Sequence, residues 1–256
     1  MTTSARVAEG ARRGGTDAVG RVELSLIRGF RVVHEGTMVS LPLGAQRVLA
    51  FLALHDRPVL RAAVAGTLWQ DAAERRACAS LRSALWRLNQ PGLRLVDATV
   101  TSLCLAPHVR VDLQRVEELA HDVLSRRVAC EAMGRPAQSF RGDFLPDWPD
   151  DWVLIERERF RQLRLHVLEA LCDQLTEVGR FGEAVDAGLA AVAAEPLRES
   201  AHRAVMRAYL AEGNRGEALR QYDLYRQLAQ TELGVAPSAV MRALVANTAA
   251  PDPRDG

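Results

Sequence analysis

Gly179-Arg180-Phe181-Gly182-Glu183-Ala184 returns as Gly213-Asn214-Arg215-Gly216-Glu217-Ala218, an offset of 34 residues. A period of this length is one pair of helices joined by tight turns, and such a pair buries its apolar face only by stacking on its neighbours. The repeat therefore assigns the chain from about residue 150 onward to stacked helical hairpins. Stacks of this kind have a concave groove that suits peptides and other protein surfaces. A different module must occupy the chain ahead of them.

Working outward from the repeat, Gly179 and Gly213 stand where left-handed caps end the preceding helices. Pro196 separates the hairpins, and the apolar periodicity predicts helices over about 152–177, 181–194, 199–212 and 215–232. A last short helix should begin at Pro237 and end near Ala246. Ala184, Ala187, Gly188 and Ala191 form a stripe of small residues that lets helices approach closely. Upstream, Val111-Asp112-Leu113 should open a helical region reaching about Glu131, with Val116, Leu119, Ala120, Val123 and Leu124 on its apolar side. The loop Phe140 to Asp147 leads to Trp148, Asp150, Asp151 and Trp152. It reads as the entry to the long helix, with Asp150 or Asp151 as cap and the two tryptophans packed against it. Asp143, Asp147, Asp150 and Asp151 lack the spacing of a calcium loop, and no metal is expected there.

The front of the chain has a different rhythm. Val22 to Phe30 alternates loosely, and Gly29, Gly36 and Pro42 punctuate two further extended pieces at about 31–34 and 38–41. Ala45, Val48, Leu49 and Leu52 predict a helix over about 44–54, and a second is expected from Arg61 to Trp69 with Ala62, Ala65, Leu68 and Trp69 inward. Asp71 is the candidate cap of a third helix over about 73–88, with Glu74 three residues on. That helix has the apolar stripe Ala77, Leu81, Ala84, Leu85 and Leu88. Its other side presents Arg75, Arg76, Ala79, Ser80, Arg82, Ser83, Trp86 and Arg87. Small residues let a helix sink into a groove of a duplex, while arginine and serine donate to base edges and phosphates. A plain solvated face would also tolerate these residues. After Pro91-Gly92, residues 93–96 and 102–105 predict a hairpin with Thr99, Val100 and Thr101 near its tip. Strands, three helices and a hairpin is the order of a winged helix-turn-helix, whose third helix enters the major groove and whose hairpin reaches the neighbouring minor groove or backbone. The DNA-binding candidates are Arg75, Arg76, Ser80, Arg82, Ser83, Arg87, Thr99 and Thr101.

Charge follows the same division. Eleven arginines face six acids between Arg21 and His108, whereas nineteen face twenty-four from Val109 onward. A basic front and an acidic back suit a polyanion-binding module joined to a protein-binding one. There is no lysine, so phosphate contacts would come from planar guanidinium forks. Cys78, Cys104, Cys130 and Cys172 show no C-x-x-C spacing, which argues against zinc and a disulfide framework and for a reducing cytoplasm. His34, His55, His108, His121, His166 and His202 are dispersed beside no catalytic set, so neither an enzyme nor a cofactor is expected. No apolar run approaches the roughly 18 residues of a membrane span. Arg12 and Arg13 precede no apolar stretch, so no secretory signal is expected either.

The string Ala79-Ser80-Leu81-Arg82-Ser83-Ala84-Leu85-Trp86-Arg87-Leu88, preceded by Leu68-Trp69, resembles the winged-helix output domains of OmpR-type response regulators. It resembles more closely those of the Streptomyces antibiotic regulatory protein family. Phe140 to Pro146, Trp152, Glu195-Pro196-Leu197-Arg198-Glu199, Ala201-His202-Arg203, Tyr222 and Glu232-Leu233-Gly234-Val235-Ala236-Pro237-Ser238 look like the bacterial transcriptional activation domain that partners the winged helix in that family. The resemblance covers about residues 21–246. It implies a mainly α fold with a small β component, a winged helix-turn-helix over 21–108 and a tetratricopeptide-like activation domain over 109–246; outside it, Gly10, Gly14, Gly15 and Gly20 mark a flexible arm over 1–20, and 247–256 reads as a disordered tail.

The resemblance also implies a cytoplasmic, nucleoid-associated transcriptional activator of secondary metabolism such as antibiotic biosynthesis. Such a protein binds short direct repeats of double-stranded promoter DNA near the −35 element, as a homodimer, and recruits RNA polymerase holoenzyme through contacts that include the sigma factor. By the same resemblance Arg82 matches a phosphate-contacting arginine, Ser80 a base-facing position, and Arg75 and Arg76 the start of groove contact. By the same resemblance, the turn with Trp69, Gln70 and Asp71 is the expected polymerase-facing patch. The sequence has no P-loop and no phosphoacceptor domain, so the nucleotide-binding domain of larger members is not expected. A second reading stays open, a protein-interaction scaffold whose winged helix binds protein rather than DNA.

Overall fold

The computed structural model describes residues 21–127 and 136–246. The expected arm over 1–20, the tail over 247–256 and Cys130 lie outside the described residues. The chain forms two compact units, one running to Leu24 and then from Arg31 to Arg110, the other comprising Ser25–Phe30 and everything from Val111.

The first unit opens on a four-stranded sheet. Its strands are β1 (Val22–Ser25), β2 (Arg31–His34), β3 (Thr37–Met38) and β9 (Val109–Val111), in the order β3-β2-β1-β9. β2 and β3 pair with His34 opposite Thr37, leaving Glu35-Gly36 as the turn. Both turn residues have positive φ, 49° and 79°, the left-handed pair that matches the twist of a hairpin. The helix α1 (Leu43–Ala53) buries every residue from Val48 to Ala53, so it forms the centre of this unit. A two-residue strand, β4 (Val59–Leu60), leads into α2 (Arg61–Leu68), and a turn leads to α3 (Glu74–Leu88). The three helices pack on one another.

Four short strands complete the unit: β5 (Asn89–Gln90), β6 (Leu93–Arg94), β7 (Val96–Ala98) and β8 (Ser102–Leu105). β7 and β8 are antiparallel with Val96 opposite Leu105, and β8 also pairs with β4. The sequence reading joined residues 93–96 into one hairpin arm. Instead Leu93 and Arg94 turn back on Gln90 and Asn89, and the chain breaks step at Leu95, whose amide donates to the carbonyl of Leu88. Asn89 enforces the break. Its Nδ2 donates to Val96 O at 2.8 Å, and its Oδ1 accepts from Leu95 N and Val96 N, both at 3.1 Å. Two other expectations shift. The cap position of α3 is Ala73, so Asp71 stays in the preceding turn and Glu74 is the first helical residue. On α2, Val64 is buried with Ala65 and Leu68, while Ala62 faces solvent.

The second unit is helical: α4 (Asp112–Leu124), α5 (Pro136–Ser139), α6 (Asp151–Glu177), α7 (Phe181–Ala194), α8 (Glu199–Glu212), α9 (Arg215–Leu233) and α10 (Ala239–Ala246). Val111, expected to begin a helix, is the last residue of β9, and α4 starts one residue later. α7 and α9 begin 34 residues apart, so α6–α7 and α8–α9 are successive hairpins. Gly179 and Gly213 have φ of 76° and 90° where α6 and α8 end, a conformation that costs glycine little. At Gly188 an added Cβ would lie 2.5 Å from Val205 Cγ2 and 3.0 Å from Cys172 Sγ, so α7 meets α8 and α6 where only a hydrogen fits. Burial among these helices pushes the Cys172 thiol up to about 12, which keeps it protonated.

Residues 25–30 leave β1 and join this helical unit. The Asp112 carboxylate accepts from Leu26 N at 2.9 Å and Ile27 N at 3.2 Å. Leu145 N donates to Leu26 O, and Arg28 N to Asp143 O. Phe30 stacks on Trp148 at 5.8 Å, and Trp148 meets Trp152 edge-on at 6.2 Å. Phe140, Phe144 and Leu145 are fully buried, and Arg157 donates to the carbonyls of Phe144, Leu145 and Trp148. Arg164 donates to Gly142 O at 2.6 Å and Asp143 Oδ1 at 2.8 Å. The aromatic, acidic loop is therefore a packed plug held by two arginines of α6. Among the described residues no three His, Cys, Asp or Glu side chains converge as a metal site. None of the described helices is long and apolar enough to cross a membrane. The protein is mainly α, with its β structure gathered at the front.

Candidate nucleic-acid interface

The burial of α3 separates two faces. Ala77, Leu81, Ala84, Leu85 and Leu88 are buried at i, i+4, i+7, i+8 and i+11, the spacing of one side of a helix. Arg75, Arg76, Arg82, Ser83, Trp86 and Arg87 are exposed, with Ala79 and Ser80 half-buried at the edge of that face. Arg76, Ser80, Ser83 and Arg87 fall at i, i+4, i+7 and i+11 and make one line along it. They flank a shallow groove of about 510 Å³ that is also bordered by Ala79, Pro42, Gly44 and Trp69. Trp69 lies half-buried, its Cζ2 3.7 Å from the position of a Cβ on Gly44, while Gln70 and Asp71 are exposed in the turn between α2 and α3.

The two units use their arginines differently. In the second unit arginine is bound to carboxylate repeatedly. Arg126 holds Glu177 at 2.7 Å, Arg198 holds Glu169 at 2.6 Å and Arg207 holds Asp173 at 2.7 Å. Such pairs cancel each other's field at short range. Among the described residues, no carboxylate pairs with Arg75, Arg76, Arg82 or Arg87. Four guanidinium groups on one helix face are thus free to meet an anion. Glu74 is the sole acid on α3.

The hairpin tip is built to keep its shape. Thr99 Oγ1 accepts from Ser102 N at 2.9 Å and Thr101 N at 3.3 Å, and Thr99 N donates to Ser102 O. The Thr99 hydroxyl is thereby committed to the turn, while Val100 is 94% exposed and Thr101 is exposed beside it. Arg61, at the start of α2, donates from its backbone N to Thr101 O and from Nε to Thr99 O at 3.1 Å. Local periodicity does not connect Arg61 to this tip, because its partners Thr99 and Thr101 lie 38 and 40 residues on. Trp86 is a further residue of this face not named among the DNA-binding candidates. The available signal was a large apolar ring at an outward position of α3, now seen 63% exposed beneath the Arg87 guanidinium.

Residues 111–247 match the family described as bacterial transcriptional activator domain. The regulatory protein AfsR of Streptomyces coelicolor is 27% identical over 245 residues, which cover 91% of this chain and 25% of that protein. The regulatory protein AfsR of Streptomyces griseus is 33% identical over 133 residues, covering 50% of this chain and 14% of that one. The chain thus spans about a quarter or less of the length of these relatives. The solved structure of Mycobacterium tuberculosis EmbR, in complex with a low affinity phosphopeptide, shares the fold. Its TM-score is 0.73 at 21% identity, over 91% of this chain and 67% of that one. The matched segment takes in more than half of the 256 residues, and the chain belongs to the bacterial transcriptional activator domain family.

Proposed function

We propose that this chain is a sequence-specific transcriptional activator that lays α3 in the major groove of promoter DNA. The observation that carries the reading is the outward face of α3, where Arg75, Arg76, Arg82 and Arg87 stand without carboxylate partners above a fully apolar inner stripe. Arginine in this state releases counterions when it meets phosphate, and that release drives binding. Ser80 and Ser83 supply hydroxyls that reach base edges or backbone, and Thr101 and Val100 bring the hairpin tip against the neighbouring strand. Thr99 contributes by holding that tip in shape.

In this reading the operator is a pair of short direct repeats near the −35 element, occupied by two protomers side by side. The stacked hairpins of α6–α9 mediate self-association and contact with RNA polymerase holoenzyme. Gln70 and Asp71, exposed after Trp69, form the patch that meets polymerase, including its sigma factor. The regulated genes belong to secondary metabolism, the antibiotic-forming class. Support comes from the family match and from the similarity to the two AfsR proteins.

The test is a DNase footprint on the upstream regions of the source genome, with and without polymerase, joined to binding measured over a salt series. Protection of direct repeats, extended by polymerase, is expected. Arg82→Ala should weaken binding to every sequence and lower the salt slope by about one. Substitution of Ser80 should change discrimination among mismatched sites more than overall affinity. Binding that ignores salt, with no footprint, would overturn the reading in favour of a protein-binding winged helix.

A further inference from the structure

Trp86 and Arg87 are sequence neighbours on α3, and side chains at adjacent helical positions point about 100° apart. The Arg87 guanidinium nonetheless lies 4.7 Å from the centroid of the Trp86 ring. To reach it the arginine must fold back along the helix surface. The ring beneath it is exposed at 63%, so the indole is not held there by the core. The greater part of this indole therefore faces water, on a helix face otherwise rich in arginine, serine and alanine. The face of an aromatic ring attracts a cation, and a flat guanidinium on that face loses rotamer freedom while its N–H edge stays open to a further partner. Arg87 also borders the groove beside α3, in line with Arg76, Ser80 and Ser83.

We infer that Trp86 is a positioning residue: its ring holds the Arg87 guanidinium in a fixed orientation, N–H edge outward, for a phosphate or guanine edge of the bound duplex. The inference rests on the DNA-binding reading of α3. It assigns Arg87 a directed contact and Trp86 an effect that passes through Arg87 alone. The platform has to be a π face, since an aliphatic side chain would cover the same area without attracting the charge.

The full chain and a footprinted operator fragment test this by a double-mutant cycle. Trp86→Leu should weaken binding roughly two- to fivefold, the range an exposed cation–π contact supplies. Trp86→Phe should retain most of the affinity. In an Arg87→Ala background the Trp86→Leu change should have no further effect, and Arg87→Ala alone should lower the salt slope by about one. A Trp86→Leu loss of equal size with and without Arg87 would overturn the inference, because the ring would then contact DNA by itself. So would a Trp86→Phe loss as large as that of Trp86→Leu. Tryptophan fluorescence supplies a second readout, with a change on operator binding in the parent that is reduced in Trp86→Phe, where Trp69 remains beside the groove. Arg82→Ala separates the two levels of argument. If it weakens binding while the Trp86 and Arg87 changes do nothing, the inference fails and the DNA-binding reading stands. If the parent protein binds without salt dependence, the reading of α3 itself fails.

Discussion

His202 is buried between two fixed partners. Gln221 donates from Nε2 to Nδ1 at 2.8 Å, so the ring proton sits on Nε2 and donates to Pro196 O at 2.9 Å. The ring also packs against Tyr225 at 4.9 Å. Burial holds its pKa below the ordinary value of 6.5. The unfolded chain therefore takes up a proton near pH 6.5 that the folded chain refuses, and stability falls as pH drops below that value until the lowered pKa is reached. Chemical denaturation between pH 7 and pH 5 should show this fall, and nitrogen NMR at neutral pH should find the His202 ring neutral and protonated on Nε2. Gly188 makes a second claim at this scale. Gly188→Ala places a methyl 2.5 Å from Val205 Cγ2. A lower melting temperature is expected, with a cost of about 1–3 kcal/mol.

At the scale of the element, the wing depends on one side chain. Asn89→Ala removes three hydrogen bonds that hold the chain at Leu95 and Val96. A loss of about 1–3 kcal/mol is expected, with faster amide exchange at both residues. The repeat helices were readable because their signals are local: small residues at close contacts, and glycines at left-handed turns. The apolar stripe of α3 was readable for the same reason, since period alone fixes which side faces inward. The hairpin register was not, because Asn89 sets it through bonds to residues six and seven positions on that no periodicity encodes. The start of α3 was readable but its cap was not, because a capping pattern needs the right backbone angle as well as the right side chain, and Ala73 rather than Asp71 takes that position. On the candidate face, position was readable from helical spacing, but the stacking of Arg87 on Trp86 depends on rotamers.

At the scale of the whole molecule, the run from Ser25 to Phe30 decides how the protein can be divided. Its binding partners, Asp112, Asp143 and Leu145, follow it by more than eighty residues. Leu26 is fully buried among them. A fragment ending at Arg110 keeps this run and loses all of its partners. It should bind hydrophobic dyes and unfold less cooperatively than the full chain, which fluorescence and calorimetry would register. Extending the fragment through the stacked helices to the end of α10, which restores both the partners of this run and the neighbours of α6, should reverse the dye binding. For anyone recombining regulators, the consequence is that one crossover point does not suffice: a hybrid that borrows its front from a relative must take the short insert from the same parent as the helical repeats, which calls for three seams, two flanking residues 25–30 and one near residue 110.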